Sequence, residues 1–152
     1  MDKRHWQDCP LSLAHGNIAQ RTIFTKEDSD DPDRGGTVLR YIDHFSRGWL
    51  EAGVSSSPQT NESVQEVFFV AAGSGKLVAA GQERPFQEGD GILIPPGVEH
   101  AFVNDGDIPL EFFMVRESIP EGTAPQNDIP LIRNYRESDL LVSHWSYLVH
   151  PI

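Results

Sequence analysis

Short apolar runs separated by turn residues dominate the chain between Thr37 and Arg116. Alternating apolar and polar positions, or brief continuous apolar stretches, predict one strand in each run. The predicted strands are 38–43, 48–54, 64–71, 75–80, 82–87, 90–94, 99–104 and 110–116. Eight closely spaced strands with no helical period between them predict an all-β sandwich or barrel.

The two flanks differ from this central region. The N-terminal flank is mostly polar, with a short strand predicted over 20–24 at the domain edge. Its segment Lys26–Gly36, KEDSDDPDRGG, predicts a solvated surface loop, and a calcium loop is the alternative. The C-terminal flank is rich in proline and then predicts a short helix over 135–143. The predicted organisation is an N-terminal extension over 1–36, a barrel over 37–116 and a linker with a docked tail over 117–152.

One predicted strand, 110–116, is apolar on both faces. Phe112 and Met114 share one face, and Phe113 and Val115 share the other. Such a strand has to be covered on both sides. The outer cover is either the N-terminal segment or a second copy of the chain, and we expect a homodimer.

Length and charge narrow the class of partner. A chain of 152 residues predicts one domain. Its net charge of −11 argues against nucleic acid or an anionic membrane surface, because both favour a basic face. Cys9 has no second cysteine to pair with, and no apolar stretch is long enough to span a membrane. We therefore expect a cytoplasmic protein whose partner is a small molecule.

The stretch GDGILIPPGVEHAFVN resembles the second motif of the cupin superfamily. Every fixed position of that motif is filled at the family spacing, by Gly89, Pro95, Gly97, His100 and Asn104. The residues also fit locally, since a Pro-Pro-Gly turn leads into a strand in which His100 and Phe102 share a face. The resemblance implies the cupin double-stranded β-helix, which is a jelly-roll barrel.

The first cupin motif is kept in outline but changed at its chemistry. The family pattern is Gly, five residues, His, one residue, His, three or four residues, Glu, six residues, Gly. The matching positions here are Gly53, Gln59, Asn61, Glu66 and Gly73. The resemblance therefore implies a metal site at Gln59, Asn61, Glu66 and His100, in which two amides replace the family's histidines.

The altered set of donors does not determine which metal ion, if any, is bound. Amide oxygens are weaker donors than imidazoles, so affinity for Zn²⁺ or Ni²⁺ should fall, and Mn²⁺, Mg²⁺ or Ca²⁺ should fit better. Iron redox chemistry is less expected, because the set departs from two histidines and one carboxylate. We expect either one divalent ion (Mn, Mg, Fe, Ni and Zn are not distinguished) or none. Without metal, the amides hydrogen-bond to each other, to Glu66 or to water.

The resemblance implies an enzyme of the isomerase, lyase or oxygenase type that acts on a small metabolite. Glu66 and His100 are the expected catalytic residues, since a carboxylate and an imidazole perform acid–base chemistry with or without a metal. The alternatives are a metal-free cupin that binds or senses a ligand without catalysis, and an assembly protein without a working pocket. Candidate binders of an anionic group, each weighed against simple surface placement, are Arg40, Arg47 and Arg116.

The remaining histidines carry weaker signals. His44 follows a predicted strand and is expected to cap a turn at the barrel rim, while His5 and His15 belong to no motif. Near the C-terminus, two histidines either fold over the barrel mouth or belong to a docked aromatic tail; these residues are His144, Trp145, Tyr147 and His150.

Overall fold

Strands account for most of the regular structure in the computed structural model. It describes residues 3–30, 34–123 and 128–138, with the backbone of two further short strands. The strands are β1 (Leu11–Ala14), β2 (Ile18–Lys26), β3 (Thr37–Leu39), β4 (His44–Leu50), β5 (Val64–Ala72), β6 (Ser74–Ala79), β7 (Gln82–Gln87), β8 (Asp90–Ile94), β9 (His100–Val103), β10 (Leu110–Ser118), β11 (Leu131–Asn134), β12 (Leu141–Val142) and β13 (Leu148–Val149). Two single 3₁₀ turns, Trp6–Asp8 and Tyr135–Glu137, are the helical elements of the described residues.

The strands form two main sheets. The larger has the order β1-β2-β4-β10-β5-β8-β11, with β3 parallel beside β2. The smaller has the order β7-β6-β9, and its strands pair antiparallel. Chain neighbours such as β4 and β5 are separated in the sheet by β10, which pairs with both. This arrangement confirms the predicted all-β jelly-roll barrel.

The core fills the space between the sheets. Its centre is a cluster of aromatic rings in which Phe102 lies 4.6 Å from Phe68 and 5.3 Å from Phe112, measured between ring centroids. These three side chains are fully buried. In β9 the buried and partly buried positions alternate, so that His100 and Phe102 face inward together, as predicted.

The predicted strands agree best with the structure where the turns before and after the strand both contain glycine. The predictions for 82–87 and 90–94 coincide with β7 and β8. The prediction for 48–54 is wrong, because β4 runs from His44 to Leu50 and a turn follows. His44 is paired with Thr25 on one side and Arg116 on the other, and these long-range partners extend β4 toward the N-terminus.

The N-terminal segment is part of the large sheet. The strand predicted over 20–24 lies within β2, which has nine residues and pairs with β4 from Ala19 to Thr25. The boundary predicted between residues 36 and 37 therefore falls within one hydrogen-bonded sheet. This pairing brings the β1–β2 loop to the barrel interior.

The helix predicted over 135–143 is absent from the described part of that segment. Asn134 caps one 3₁₀ turn by accepting a hydrogen bond from the backbone nitrogen of Arg136 at 3.0 Å. Ser138 is already extended, with φ −88° and ψ 145°, so the turn does not continue. Farther on, β12 pairs with β13 as a two-stranded ladder. The expectations for His144, Trp145, Tyr147 and His150 lie outside the described residues.

The outer face of the large sheet carries apolar side chains, as the parity of strand 110–116 predicts. Phe113 stacks on Phe45 at 5.8 Å, and Val67 and Phe113 are each 37% exposed. The homodimer stays a prediction. Among the described residues, no helix has both the length and the apolar character needed to cross a membrane, and the cytoplasmic location stays a prediction.

Asn104, a fixed position of the second motif, should contribute strongly to stability. Its amide nitrogen donates to the carbonyl oxygens of Leu50 (3.0 Å) and Ile108 (2.8 Å), and its side-chain oxygen accepts from Gly106 N (3.1 Å). Replacing Asn104 with alanine leaves the Leu50 carbonyl oxygen without this hydrogen bond. We therefore expect a loss of about 1–3 kcal/mol in the free energy of unfolding. Urea denaturation measures this loss, with the exposed Asp107→Ala variant as control. Equal midpoints for the two variants would contradict the prediction.

Candidate functional site

The loop between β1 and β2 inserts a histidine into the barrel. His15 has φ +47° and Gly16 has φ +75°, both in the left-handed region. Apart from glycine, histidine is among the residue types that adopt this region most readily, together with asparagine and aspartate. The loop is held by Ser57 N, which donates to His15 O at 2.7 Å, and by Asn17 Nδ2, which donates to Ser55 O at 2.8 Å. The His15 imidazole is consequently buried, with 7% of the residue exposed.

His15 meets Glu66 and His100 inside the barrel. His15 Nε2 lies 3.3 Å from Glu66 Oε1, and His100 Nε2 lies 3.6 Å from Glu66 Oε2. The two imidazole centroids are 5.1 Å apart. All three residues are buried, and one ligand atom from each lies within 4.8 Å of the others. Two imidazoles and one carboxylate therefore share one centre.

Hydrogen bonding leaves imidazole nitrogens of this centre free. His100 Nδ1 is 2.9 Å from Val98 O and donates its proton there, so its Nε2 carries a lone pair. His100 Nε2 and His15 Nδ1 are buried without a hydrogen-bond partner among the described residues. A histidine that donates one N–H to a backbone carbonyl and presents the other nitrogen has the arrangement usual for a metal ligand. The donor set thus fits a divalent metal ion.

The two amides predicted from the first motif also reach this part of the barrel. Asn61 Nδ2 donates to Glu66 Oε2 at 2.8 Å, and Asn61 Oδ1 accepts from Arg116 at 3.4 Å. Gln59 pairs with His100 through two backbone hydrogen bonds of 2.9 Å, outside any named strand. The described geometry therefore uses Asn61 to orient Glu66, and Gln59 lines the adjoining pocket.

A pocket of about 300 Å³ adjoins the centre. Glu66, Arg116 and His44 lie side by side on β5, β10 and β4, and their paired positions place them on one sheet face. His44 thus faces the pocket, and the expectation that it caps a rim turn is wrong. The polar residues of the pocket wall are His15, Gln20, His44, Gln59, Asn61, Glu66 and Arg116.

Comparison with known sequences identifies the central region. A family profile described as a cupin domain matches residues 49–116. Residues 49–116 form a cupin domain. A mannose-1-phosphate guanylyltransferase from Salmonella montevideo is 28% identical to this cupin over 109 residues, which are 70% of the chain. The chain spans only 22% of that relative's length.

Solved structures share the cupin fold. A cupin 2 conserved barrel domain protein from Salinispora arenicola has a TM-score of 0.62 and 25% identity, covering 78% of this chain and 89% of its own. A predicted oxalate decarboxylase from Thermotoga maritima has a TM-score of 0.62 and 19% identity, with coverages of 76% and 97%. The pirin YhhW from Escherichia coli, in complex with nickel(II), has a TM-score of 0.66 and 15% identity, with coverages of 86% and 56%.

The charge state of Glu66 in this cupin reflects two opposing influences. Burial raises the pKa of its carboxyl group, because a charged group loses hydration. The hydrogen bond and charge of His15 act in the opposite direction, as do the charges of His100 and Arg116. These partners prevail and hold the pKa of Glu66 below its ordinary range. Glu66 is therefore a carboxylate at neutral pH.

Burial affects the neighbouring imidazoles differently. It lowers the pKa of His100, and the charge of His15 adds to this effect, against the opposing Val98 carbonyl and Glu66. Burial also lowers the pKa of His44, with a further contribution from Arg116, against Glu66 and Asp43. Both imidazoles are consequently neutral at pH 7.

We expect the metal-free cupin to lose stability as the pH falls below about 6.5. In the unfolded chain His44 and His100 bind protons near their ordinary pKa of about 6.5, whereas the folded chain lowers the pKa of both. Unfolding therefore takes up protons between these values, and stability decreases as acid is added. Thermal melts in chelator between about pH 7.5 and 5.5 measure the effect. His100→Asn should flatten the dependence, and the exposed control His5→Asn should not; a melting temperature that rises on acidification would contradict the prediction.

His15 is the site residue that the sequence analysis missed. The segment LSLAHGNIAQ carries a local hairpin signal, since Gly16-Asn17 separates two short alternating runs. Nothing local indicates which cavity the hairpin tip enters. That position depends on the pairing of β2 with β4, about thirty residues away.

Proposed function

We propose that this cupin binds one divalent metal ion at His15, Glu66 and His100 and acts there on a small molecule. The observation that carries the proposal is the convergence of two imidazoles and a carboxylate, with His100 Nε2 buried and without a hydrogen-bond partner among the described residues. Buried polar atoms without partners are uncommon, and each asks for an explanation. A missing ligand of the imidazoles is such an explanation.

The donor set differs from the one that the first motif implies. Positions 59 and 61 hold amides where the motif has histidines. His15, in the β1–β2 loop, supplies one imidazole in their place. Two histidines and one carboxylate with open positions favour Fe²⁺, Mn²⁺, Ni²⁺ or Zn²⁺ over Mg²⁺ and Ca²⁺. The nickel complex of the E. coli pirin is a precedent within the same fold.

The surrounding residues have defined roles in this proposal. His100 is fixed by the Val98 carbonyl and presents Nε2, and Glu66 is oriented by Asn61. In the metal-free arrangement His15 Nε2–H contacts Glu66; moving this proton to the unpartnered Nδ1 frees Nε2 as a donor. A bound divalent ion supplies Lewis acidity to a ligand oxygen. With the ion held by Nε2, His100 would act as a ligand, and Glu66 would be the candidate for proton transfer in an isomerase, lyase or oxygenase reaction.

Elemental analysis of protein purified without chelator or affinity metals tests the proposal. The expected result is near-stoichiometric metal, or saturable binding of Mn²⁺, Fe²⁺, Ni²⁺ or Zn²⁺ in a titration, lost in Glu66→Ala and His100→Ala. Glu62→Ala removes an exposed carboxylate and serves as the control. Absence of metal, with no thermal shift on adding any of these ions, would refute it.

A second candidate function needs no metal. Both oxygens of Glu66 have partners, His15 Nε2 at 3.3 Å and Asn61 Nδ2 at 2.8 Å, so neighbouring side chains stabilise this carboxylate without a metal ion. Such a site binds an organic ligand, with or without acid–base catalysis. This candidate predicts a ligand-induced thermal shift in the presence of chelator, together with a negative metal titration.

A further inference from the structure

Arg116 is the arginine in the wall of this pocket. Its guanidinium lies in the pocket wall, half-buried, and donates to Asn61 Oδ1 over 3.4 Å. Within 4 Å it forms no ion pair with a carboxylate among the described residues. Some other arginines pair with carboxylates, as Arg47 does with Glu111 and Arg136 with Glu88, and others donate to backbone carbonyl oxygens, as Arg84 does to Pro130. Arg116 differs from both groups, because the hydrogen bond that its guanidinium makes among the described residues is a 3.4 Å contact with a side-chain amide in the pocket wall.

The neighbours of Arg116 leave its guanidinium available. Glu66 is directly across the strand pair, but its two oxygens are engaged by His15 and Asn61. His44, on the other side, is a neutral imidazole whose low pKa is partly caused by Arg116 itself. The five N–H donors of a guanidinium have a planar fork geometry that matches a carboxylate or phosphate group.

A second unsatisfied group lies in the same wall. Gln20 Oε1 is buried without a hydrogen-bond partner among the described residues. A carbonyl oxygen can only accept a hydrogen bond, so a ligand in the pocket would satisfy it with a hydroxyl or amine donor. The pocket thus presents a cation for an anionic group and an acceptor for a donor group, within about 300 Å³.

We infer that the pocket binds a small carboxylic acid that carries a hydroxyl or amine group, with the carboxylate on Arg116 and the donor on Gln20. This inference deepens the proposed function and rests on it, since the ligand occupies the cavity beside His15, Glu66 and His100. A singly charged carboxylate is favoured over a phosphate dianion because the Glu66 carboxylate lies across the strand pair from Arg116.

Three arginines were candidates for binding an anion, and the structure separates them. Arg40 is exposed and lies 3.8 Å from Glu27. Arg47 lies over the Trp6 ring at 4.1 Å and pairs with Glu111, on the opposite face of β4 from His44. Arg47 is therefore a matched control for Arg116, because its substitution removes the same charge from the outer face of the barrel.

The test measures binding of glycolate, L-lactate and L-serine to the full chain in chelator, by calorimetry and thermal shift. We expect saturable binding of at least one of them, weakened roughly 10–100-fold in Arg116→Gln and little changed in Arg47→Gln. Arg116→Lys should be intermediate, since it keeps the charge and loses the fork. L-Lactamide, which lacks the carboxylate, should not bind.

Several outcomes would overturn the inference. These are binding of inorganic phosphate with none of the three acids, equal loss in Arg116→Gln and Arg47→Gln, or no binding of any acid to the wild-type chain. The Gln20→Leu variant gives a second readout, because it leaves the net charge unchanged. It should weaken the binding of the hydroxy acids more than the binding of acetate, which has no hydroxyl group to donate to Gln20. Because chelator is present, failure of this test is separate from failure of the metal proposal.

Discussion

Replacing His15 with asparagine is expected to weaken divalent metal binding by more than roughly 100-fold while the barrel stays folded. Loss of a residue that merely supports a ligand costs roughly 10–100-fold, and loss of a ligand should exceed that. Asparagine is the appropriate replacement, since it tolerates the left-handed conformation that His15 adopts at φ +47°. An alanine in this position would confuse the loss of a donor with backbone strain.

Gln59→Ala provides the matched comparison for His15→Asn. Gln59 occupies a metal-ligand position of the first cupin motif, whereas His15 occupies none. If the centre is built as the geometry indicates, Gln59→Ala should change metal affinity by less than about threefold, because the other donors remain. Isothermal titration with Ni²⁺ or Zn²⁺ distinguishes the two variants. The reverse order of effects would mean that the ligands follow the motif and that His15 is only a buried neighbour of Glu66.

The barrel was predictable because its signals are local. A glycine turn, a short alternating run and a Pro-Pro-Gly turn determine β8 and the start of β9 within sixteen residues. The inward direction of His100 and Phe102 follows from alternation along one strand. Glu66 was likewise found through its spacing in a motif and lies at the centre, as expected.

The rest of the site was not predictable, because it depends on strand pairing across long stretches of chain. His44 faces the pocket because β4 begins there, five residues after the end of β3, and this start is set by pairing with Thr25 and Arg116. The amides at 59 and 61 were expected as metal ligands, yet Asn61 gives its N–H to Glu66 and receives an N–H from Arg116. Hydrogen-bond orientation of this kind is decided by neighbours that no spacing rule identifies.

The second large effect is expected at Phe102, which joins the core to the candidate site. Its ring is fully buried and lies 4.6 Å from Phe68, 5.3 Å from Phe112 and 5.9 Å from Phe86. On its other side, the His100 and His15 rings lie at 6.0 and 6.2 Å. Phe102→Ala should lower the free energy of unfolding by about 3–5 kcal/mol, the usual result of deleting a buried ring.

Phe113→Ala is the appropriate control, because Phe113 is 37% exposed on the outer face and stacks only on Phe45 among the described rings. Phe113→Ala should lower the free energy of unfolding by about 1–2 kcal/mol, less than Phe102→Ala, since part of the Phe113 ring is already exposed to solvent. Urea denaturation compares the two variants, and similar losses would contradict the central position given to Phe102. The conservative Phe102→Leu variant, which retains most of the volume, keeps the site testable if Phe102→Ala does not fold. Because both imidazoles contact this ring, Phe102→Leu should also reduce metal affinity, whereas Phe113→Ala should not; the packing of the core would thereby be shown to hold His15 and His100 in place.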